Sequence, residues 1–363
     1  MAAKLGRDYL ERAAQGQDLV KAVKAKKADK GPGKDVVFWK FIRKVFPQYK
    51  FYKFHAEVIK QLQKVITGEC KRLILQVPPR HGKSLLASQL LPAAYLLAHP
   101  DRFVGVSSYS AELAEGFSRK AREFYREGGG LLNPTSQAVN AWGTEAGGGL
   151  WAAGVGGAIT GRSGHLLIID DPVKNREDAE SDRLMQKLND WYTSTLYTRL
   201  EPHVGSIVVI QTRWSENDMI GQLLENEKNV SEKGRENWTI VDLPALYEDS
   251  DSRPLLPEHC EVIPDWREEE NQALCPQRYD TDDLERIREA VGSRDFASLY
   301  QQRPAPEGGN LFDPTWWQYY NWDTDLPEFQ RIMLSVDCTF TDAKKSDYVV
   351  GTVVGQAGNT FYV

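Results

Sequence analysis

The sequence predicts an α/β fold, a largely parallel sheet covered on both faces by helices. Three observations predict it. Apolar runs of strand length recur, each bounded by charge, glycine or proline: "RLILQV", "RFVGVSS", "HLLIIDDP" and "GSIVVIQTRW". Segments with helical spacing alternate with these runs. The runs are also apolar at successive residues, as strands buried on both faces require.

Bulk properties narrow the class. With 363 residues, 41% hydrophobic and 26% charged, the chain can bury a large core. No run of about 18 or more apolar residues exists, so no helix is expected to span a membrane. The start, "MAAKLGRDYLERAAQGQDLV", has no apolar stretch of the kind a signal peptide needs. Cys70, Cys260, Cys275 and Cys338 are scattered, with no C-x-x-C pair, and His259-Cys260 lacks a second ligand pair at zinc spacing. They read as reduced thiols without a metal. The net charge is −6, yet residues 1–50 hold 13 Lys/Arg against 5 Asp/Glu. Residues 1–36, centred on "KAVKAKKADKGPGK", therefore read as a flexible basic arm, either a solvated tail or a nucleic-acid contact.

The elements follow in order. "FWKFIRKVFPQYKFYKFHAEVIKQLQKVI" carries aromatic anchors, then helical spacing at Val58, Leu62 and Ile66. "RLILQV" is a buried strand, and "KSLLASQLL" a helix that Pro92 should bend or end. "RFVGVSS" is a second strand, and "AELAEGFSRKAREFYRE" a strongly periodic helix. "LWAAGVGGAITG" suggests a hairpin; its glycines follow no strong strand and open no helix, which argues against a dinucleotide site. "HLLIIDDP" is a third strand ending in acids, "DRLMQKLNDWYTSTLYTRL" is helical, and "GSIVVIQTRW" is a fourth strand. Residues 37–250 thus form one α/β core. From 251 to 325 proline, acid and short helices suggest a small helical lid and linker. A new set of strands opens at 326.

The stretch "VPPRHGKSLL" is the chemical centre. A phosphate-binding loop of the G-x-x-x-x-G-K-[ST] type would have glycine where Val77 stands, but its chemistry survives that change. Within the loop Pro79, Arg80, His81, Gly82, Lys83, Ser84 and Leu85, backbone N–H groups around Arg80 to Lys83 can point at a phosphate. Gly82 permits close approach, Lys83 neutralises β/γ oxygens, Ser84 holds Mg²⁺, and the following helix adds its positive end. The prolines fix the backbone ahead of the loop. Asp170, at the end of "LLIID", is placed as the aspartate that supports Mg²⁺ in P-loop ATPases. Asp171 follows where a catalytic carboxylate would orient attacking water. The gap between Ser84 and Asp170 accommodates the intervening strand "RFVGVSS", an order that suits the motor type of P-loop NTPase with an extra strand between the two motifs. ATP and Mg²⁺ are the expected ligands.

In combination, "VPPRHGKS", "SSYSAELAEGFSRKAREFY", "GVGGAITGRSGHLLIIDDPVKNREDAES", "WYTSTLYTRL", "VVIQTRWSENDMIG", "LYQQRP" and "LSVDCTFTDAKKSDYVVG" resemble the large subunit of tailed-phage terminases, the DNA-packaging motors. The resemblance spans nearly the whole chain. It implies an N-terminal packaging ATPase followed by a ribonuclease-H-like nuclease, of which residues 326–363 are the incomplete start. By its motifs, Lys83, Ser84 and Asp170 match the phosphate, metal and Walker B positions, and Asp171 the catalytic carboxylate, as Asp where Glu is commoner. Arg80 falls where terminases place a γ-phosphate sensor. Arg162 falls where the family can supply an arginine finger to a neighbouring subunit, with a surface ion pair as the alternative. Thr212 matches the coupling motif, or else caps a helix. His55 lies near the place of an adenine-binding Gln, although a buried structural histidine also fits. Asp337 and Asp347 resemble the first two acids of a nuclease that uses Mg²⁺ or Mn²⁺ and needs further carboxylates.

The resemblance further implies double-stranded DNA, the portal protein of a procapsid and a small terminase subunit as partners. It implies a homo-oligomeric ring, a pentamer, whose subunit can be a monomer in isolation, at work in the host cell cytoplasm. A helicase-like or DNA-repair ATPase would need signature motifs beyond "QTRW". A nucleotide-binding scaffold that only switches would not need Asp171 and Arg162.

Overall fold

The computed structural model describes residues 35–249, 256–304, 326–337, 350–358 and 360–363. The basic arm up to residue 34 lies outside them, as do Asp347 and Cys338. The chain divides into two compact units, Met1–Asn310 and Leu311–Val363.

The first unit is a nine-stranded sheet. Helices α1 (Phe38–Val45) and α2 (Lys53–Thr67) precede strand β1 (Arg72–Gln76). After the loop comes a π-wound segment, Leu85–Leu90, continuing into α3 (Leu91–Ala98). Then follow β2 (Phe103–Ser108), α4 (Ala111–Glu127), β3 (Leu132–Gln137), β4 (Ala141–Thr144), β5 (Gly149–Gly154) and β6 (Leu166–Asp170). Next are α5 (Arg176–Ala179), α6 (Asp182–Asp190) with its continuation to Arg199, β7 (Ser206–Ile210), α7 (Met219–Asn229), β8 (Thr239–Asp242) and β9 (Glu261–Ile263). Helix α8 (Thr281–Val291) and a helical segment to Tyr300 close the unit.

The strand order is β3-β4-β5-β2-β6-β7-β1-β8-β9, parallel from β5 to β9. The alternation within β1 builds both faces of the core. Leu73 and Leu75 point into the cluster that holds α1 to α4, whereas Ile74 joins the cluster under α6 and α7. Each fully buried aliphatic side chain of this kind contributes about 1.5–3 kcal/mol. A third, smaller cluster of Leu246, Ala273, Leu284 and Phe296 seats the lid-like segment on the loop after β8.

Three expectations are corrected. The hairpin is not formed within Leu150–Gly161. It joins β4 to β5 upstream, with Gly147 at φ +94° in the turn, while β5 runs parallel to β2. Pro92 neither ends nor interrupts the helix. The winding widens before it, with Leu91 N–H donating to Leu86 O, so Pro92 falls in the first turn of α3 where its missing N–H costs little. The strand that separates the two motif strands is β7, from later in the chain, and "RFVGVSS" (β2) lies beyond β6.

The second unit is an antiparallel meander of β10 (Arg331–Asp337), β11 (Val350–Ala357) and β12 (Thr360–Tyr362). Ile332, Leu334, Val336 and Val353 are each more than half exposed. Asp337 ends β10 opposite Val350.

Candidate nucleotide site

The sequence places three chemistries just past the ends of β1, β6 and β7, which are neighbours in the order β6-β7-β1. Parallel strands share one carboxyl edge, so adjacency alone brings these residues together.

The loop explains Val77 first. Val77 is 1% exposed, a core residue that continues β1, and it does not carry the loop's turn. The left-handed positions are Arg80 at φ +64° and Gly82 at φ +83°. A Cβ on Gly82 would sit 3.5 Å from the Tyr49 hydroxyl and 3.7 Å from His55 Nε2. Gly82 is therefore held for its backbone conformation rather than for space. Arg80 is exposed, while Lys83 and His81 are buried.

His55 braces this loop. Its Nδ1 accepts from Tyr52 N–H at 3.1 Å, so Nε2 carries the proton. That Nε2–H faces the His81 carbonyl at 3.3 Å and the Tyr49 hydroxyl at 3.1 Å. Both ring nitrogens are thus engaged inside the chain. Burial pushes the His55 pKa down to about 3 and that of His81 to about 4, so both rings are neutral. His81 Nδ1 donates to Pro79 O at 2.9 Å, closing the loop on itself.

The acidic side is equally ordered. Asp170 is completely buried and receives hydroxyl hydrogen bonds from Ser84 at 3.1 Å and Ser88 at 2.5 Å. Burial first, and the neighbouring Asp171 charge second, push its pKa up to about 7. The Ser84 and Asp170 oxygens are hard donors of the kind Mg²⁺ takes. Asp171 has φ +44°, and its Oδ1 accepts from Thr212 N–H at 2.5 Å. Lys83 Nζ donates to the Thr212 hydroxyl and stands 3.5 Å from Asp171 Oδ1. Lys83, Ser84, Asp170, Asp171 and Thr212 are therefore one connected group.

Another expected residue lies apart. Arg162 is half-buried with its guanidinium 6.0 Å from the Trp151 ring on β5, and β2, β6 and β7 separate β5 from β1. Glu227 joins His259 and Cys260, their ligating atoms lying within 4.8 Å of one another. Its Oε1 already accepts from Glu236 N–H, Asn237 N–H and His259, which accounts for the buried carboxylate as a brace between loops.

Several residues were not foreseen. Ser88 follows Ser84 at the i+4 spacing of one helix face, a signal that the sequence carried. Arg176 gave no such signal. It donates to Trp214 O at 3.2 Å, to Asp295, and to Ser298 at 3.4 Å, joining the segments after β6 and β7 to the lid-like segment.

Residues 74–318 match the family model described as terminase large subunit, T4likevirus-type, N-terminal. Among solved structures, the ATPase domain of the Thermus phage P74-26 large terminase, a point mutant, is similar at TM-score 0.44 and 13% identity, over 73% of this chain and 98% of that one. The ADP complex of the large terminase from a thermophilic bacteriophage is similar at TM-score 0.38 and 9% identity, over 84% of this chain. This chain spans 66% of the length of that terminase. No curated protein matches the sequence. The family match covers more than half of the chain, and the chain belongs to the large-subunit terminase family.

Proposed function

We propose that this chain is an ATP-hydrolysing motor that drives viral double-stranded DNA into a procapsid. The observation that carries the reading is the convergence of Lys83, Ser84, Asp170, Asp171 and Thr212 at one sheet edge, in a chain of the large-terminase family. ATP turnover measured with and without double-stranded DNA tests it. Stimulation by DNA is expected, and nucleotide binding without turnover would favour a nucleotide switch instead.

Bound Mg²⁺·ATP would supply the phosphoanhydride to be cleaved and positive charge to offset that of its phosphates. The chain does the rest. Backbone N–H groups around Arg80 to Lys83, with the end of the following helix, bind phosphate oxygens. Lys83 leaves Thr212 and Asp171 to neutralise the β/γ oxygens, and that departure frees the Asp171 carboxylate to hold the attacking water. Ser84 and Asp170 hold the cation, with Asp170 ionised. Arg80, exposed beside the loop, senses the γ-phosphate. Thr212, released by the lysine, couples the nucleotide state to the segments that Arg176 gathers. His55 positions the loop through the His81 carbonyl, and this replaces the adenine contact that its place in the sequence invites.

Arg162 acts on a neighbouring subunit of a homo-oligomeric ring, expected to be a pentamer, mounted on the portal protein and supplied with DNA by the small terminase subunit. The setting is the host cell cytoplasm; among the described residues, no helix is long and apolar enough to cross a membrane. Asp337 and Asp347 are proposed to take part in a nuclease that uses Mg²⁺ or Mn²⁺. Plasmid cutting measured with Mg²⁺ or Mn²⁺, and its loss on Asp337→Ala, tests that part separately.

A further inference from the structure

A buried charge pair stands beside the nucleotide site without a role in it. Arg213, the residue after Thr212, is 8% exposed, and Asp218 is 0% exposed. Arg213 Nε donates to both Asp218 oxygens, at 3.0 and 2.8 Å. The same carboxylate accepts from Trp214 N–H at 3.2 Å and, as the N-cap of α7, from Gly221 N–H at 3.1 Å. Arg213 Nη1 reaches across to Gln76 Oε1 at 3.1 Å, and Nη2 donates to Ser215 O at 3.4 Å. Gln76 is the last residue of β1, 1% exposed, and the next residue begins the approach to the phosphate loop.

A buried ion pair is a poor source of stability, because well-packed apolar residues in its place are often as good or better. What the pair supplies here is geometry. The planar guanidinium fork fixes three directions at once, which a lysine cannot do. One arm grips the N-terminus of α7, one the root of the phosphate loop, and the backbone carries Thr212, whose hydroxyl accepts from Lys83.

We propose that Arg213 is a positioning residue for hydrolysis: it ties the Thr212 end of β7 to the Gln76 end of β1 and transmits loop movement to α7. The inference rests on the assignment of Lys83 and Thr212 to the ATP site. The Arg213–Asp218 pair holds the strand end, and the Gln76 bond sets its distance from the loop. A bound nucleotide that draws Lys83 off Thr212 then moves the strand end and the α7 N-terminus together.

The test uses the full chain with double-stranded DNA, a fluorescent ATP analogue for affinity and steady-state ATP turnover for kcat. Gln76→Met removes the acceptor while leaving Arg213 with Asp218; Gln76→Glu keeps an acceptor oxygen. Gln76→Met is expected to bind the analogue as the parent does, with kcat reduced about 10- to 100-fold, the loss typical of an ångström-scale misplacement. Gln76→Glu is expected to restore most of the rate, and Arg213→Lys to behave like Gln76→Met. If folded Gln76→Met turns over within about twofold of the parent, or if Met and Glu are equally impaired, the positioning role is overturned. Lys83→Ala serves as the control. Full turnover in that variant means that the site assignment itself has failed, whatever Gln76 shows.

Discussion

Lys83 Nζ stands 3.5 Å from Asp171 Oδ1, and the same ammonium donates to the Thr212 hydroxyl. The site thus keeps its cation and its candidate water-activating acid paired with each other. Lys83 is 7% exposed and the Asp171 side chain 28%, so the pair is held with little water on the lysine side. Phosphate oxygens compete for that lysine, and their success would turn on the acid.

Asp171→Asn is expected to bind ATP and lose turnover by about 10²–10⁴-fold, since an amide does not take up a proton from water. The backbone at φ +44° tolerates Asn as well as Asp, so the fold is expected to persist. Single-turnover hydrolysis together with analogue binding checks this. Normal hydrolysis would move the catalytic carboxylate elsewhere, with Glu177 the next residue to examine.

The raised pKa of Asp170 has a defined sign. Its usual value is 3.8 and its folded value about 7, so between these the folded chain holds a proton that the unfolded chain has released. Its contribution to stability is complete below about pH 4 and is lost as pH rises through about 7. Cation binding needs the ionised carboxylate, so Mg²⁺·ATP affinity is expected to rise with pH through about 7, with a proton released on binding. Titration calorimetry at pH 6.5 in two buffers of different ionisation enthalpy reads that proton. Asp170→Asn is expected to lose the component, and a variant with unchanged proton release would refute the assignment.

Arg162 is expected to act across a subunit boundary, where an arginine finger contributes about 10³–10⁵ in rate. Mixing Arg162→Ala with Lys83→Ala protein places an intact loop against an intact finger at some interfaces. Partial recovery of turnover is expected once light scattering has verified ring assembly. Assembled mixed rings without recovery would assign Arg162 to its packing on Trp151.

How much of this was legible follows from range. β1, β6 and β7 are runs of apolar residues buried on both faces, and such runs announce themselves. β8 and β9 are four and three residues long, too short for a period to show. The place of β7 between β6 and β1 is a spatial order that chain order does not carry. Lys83, Ser84 and Asp170 could be proposed from the sequence because phosphate and metal chemistry restricts residue type at fixed spacing. His55 was visible as a position but not as a brace, because its partner is a backbone carbonyl 26 residues away. Arg213, Asp218 and Gln76 look like ordinary strand-end and turn residues until the fold buries them together.

The motor assignment rests on Lys83. The most direct measurement is ATP turnover by the full 363-residue chain and by its Lys83→Ala variant, each with double-stranded DNA and each verified as folded. The parent is expected to hydrolyse ATP faster with DNA than without. The variant is expected to lose at least about 10²–10³-fold, the scale of removing one preorganised charge from a transition state. Near-parental turnover in folded Lys83→Ala protein would contradict the assignment of this loop as the nucleotide site, and with it the motor.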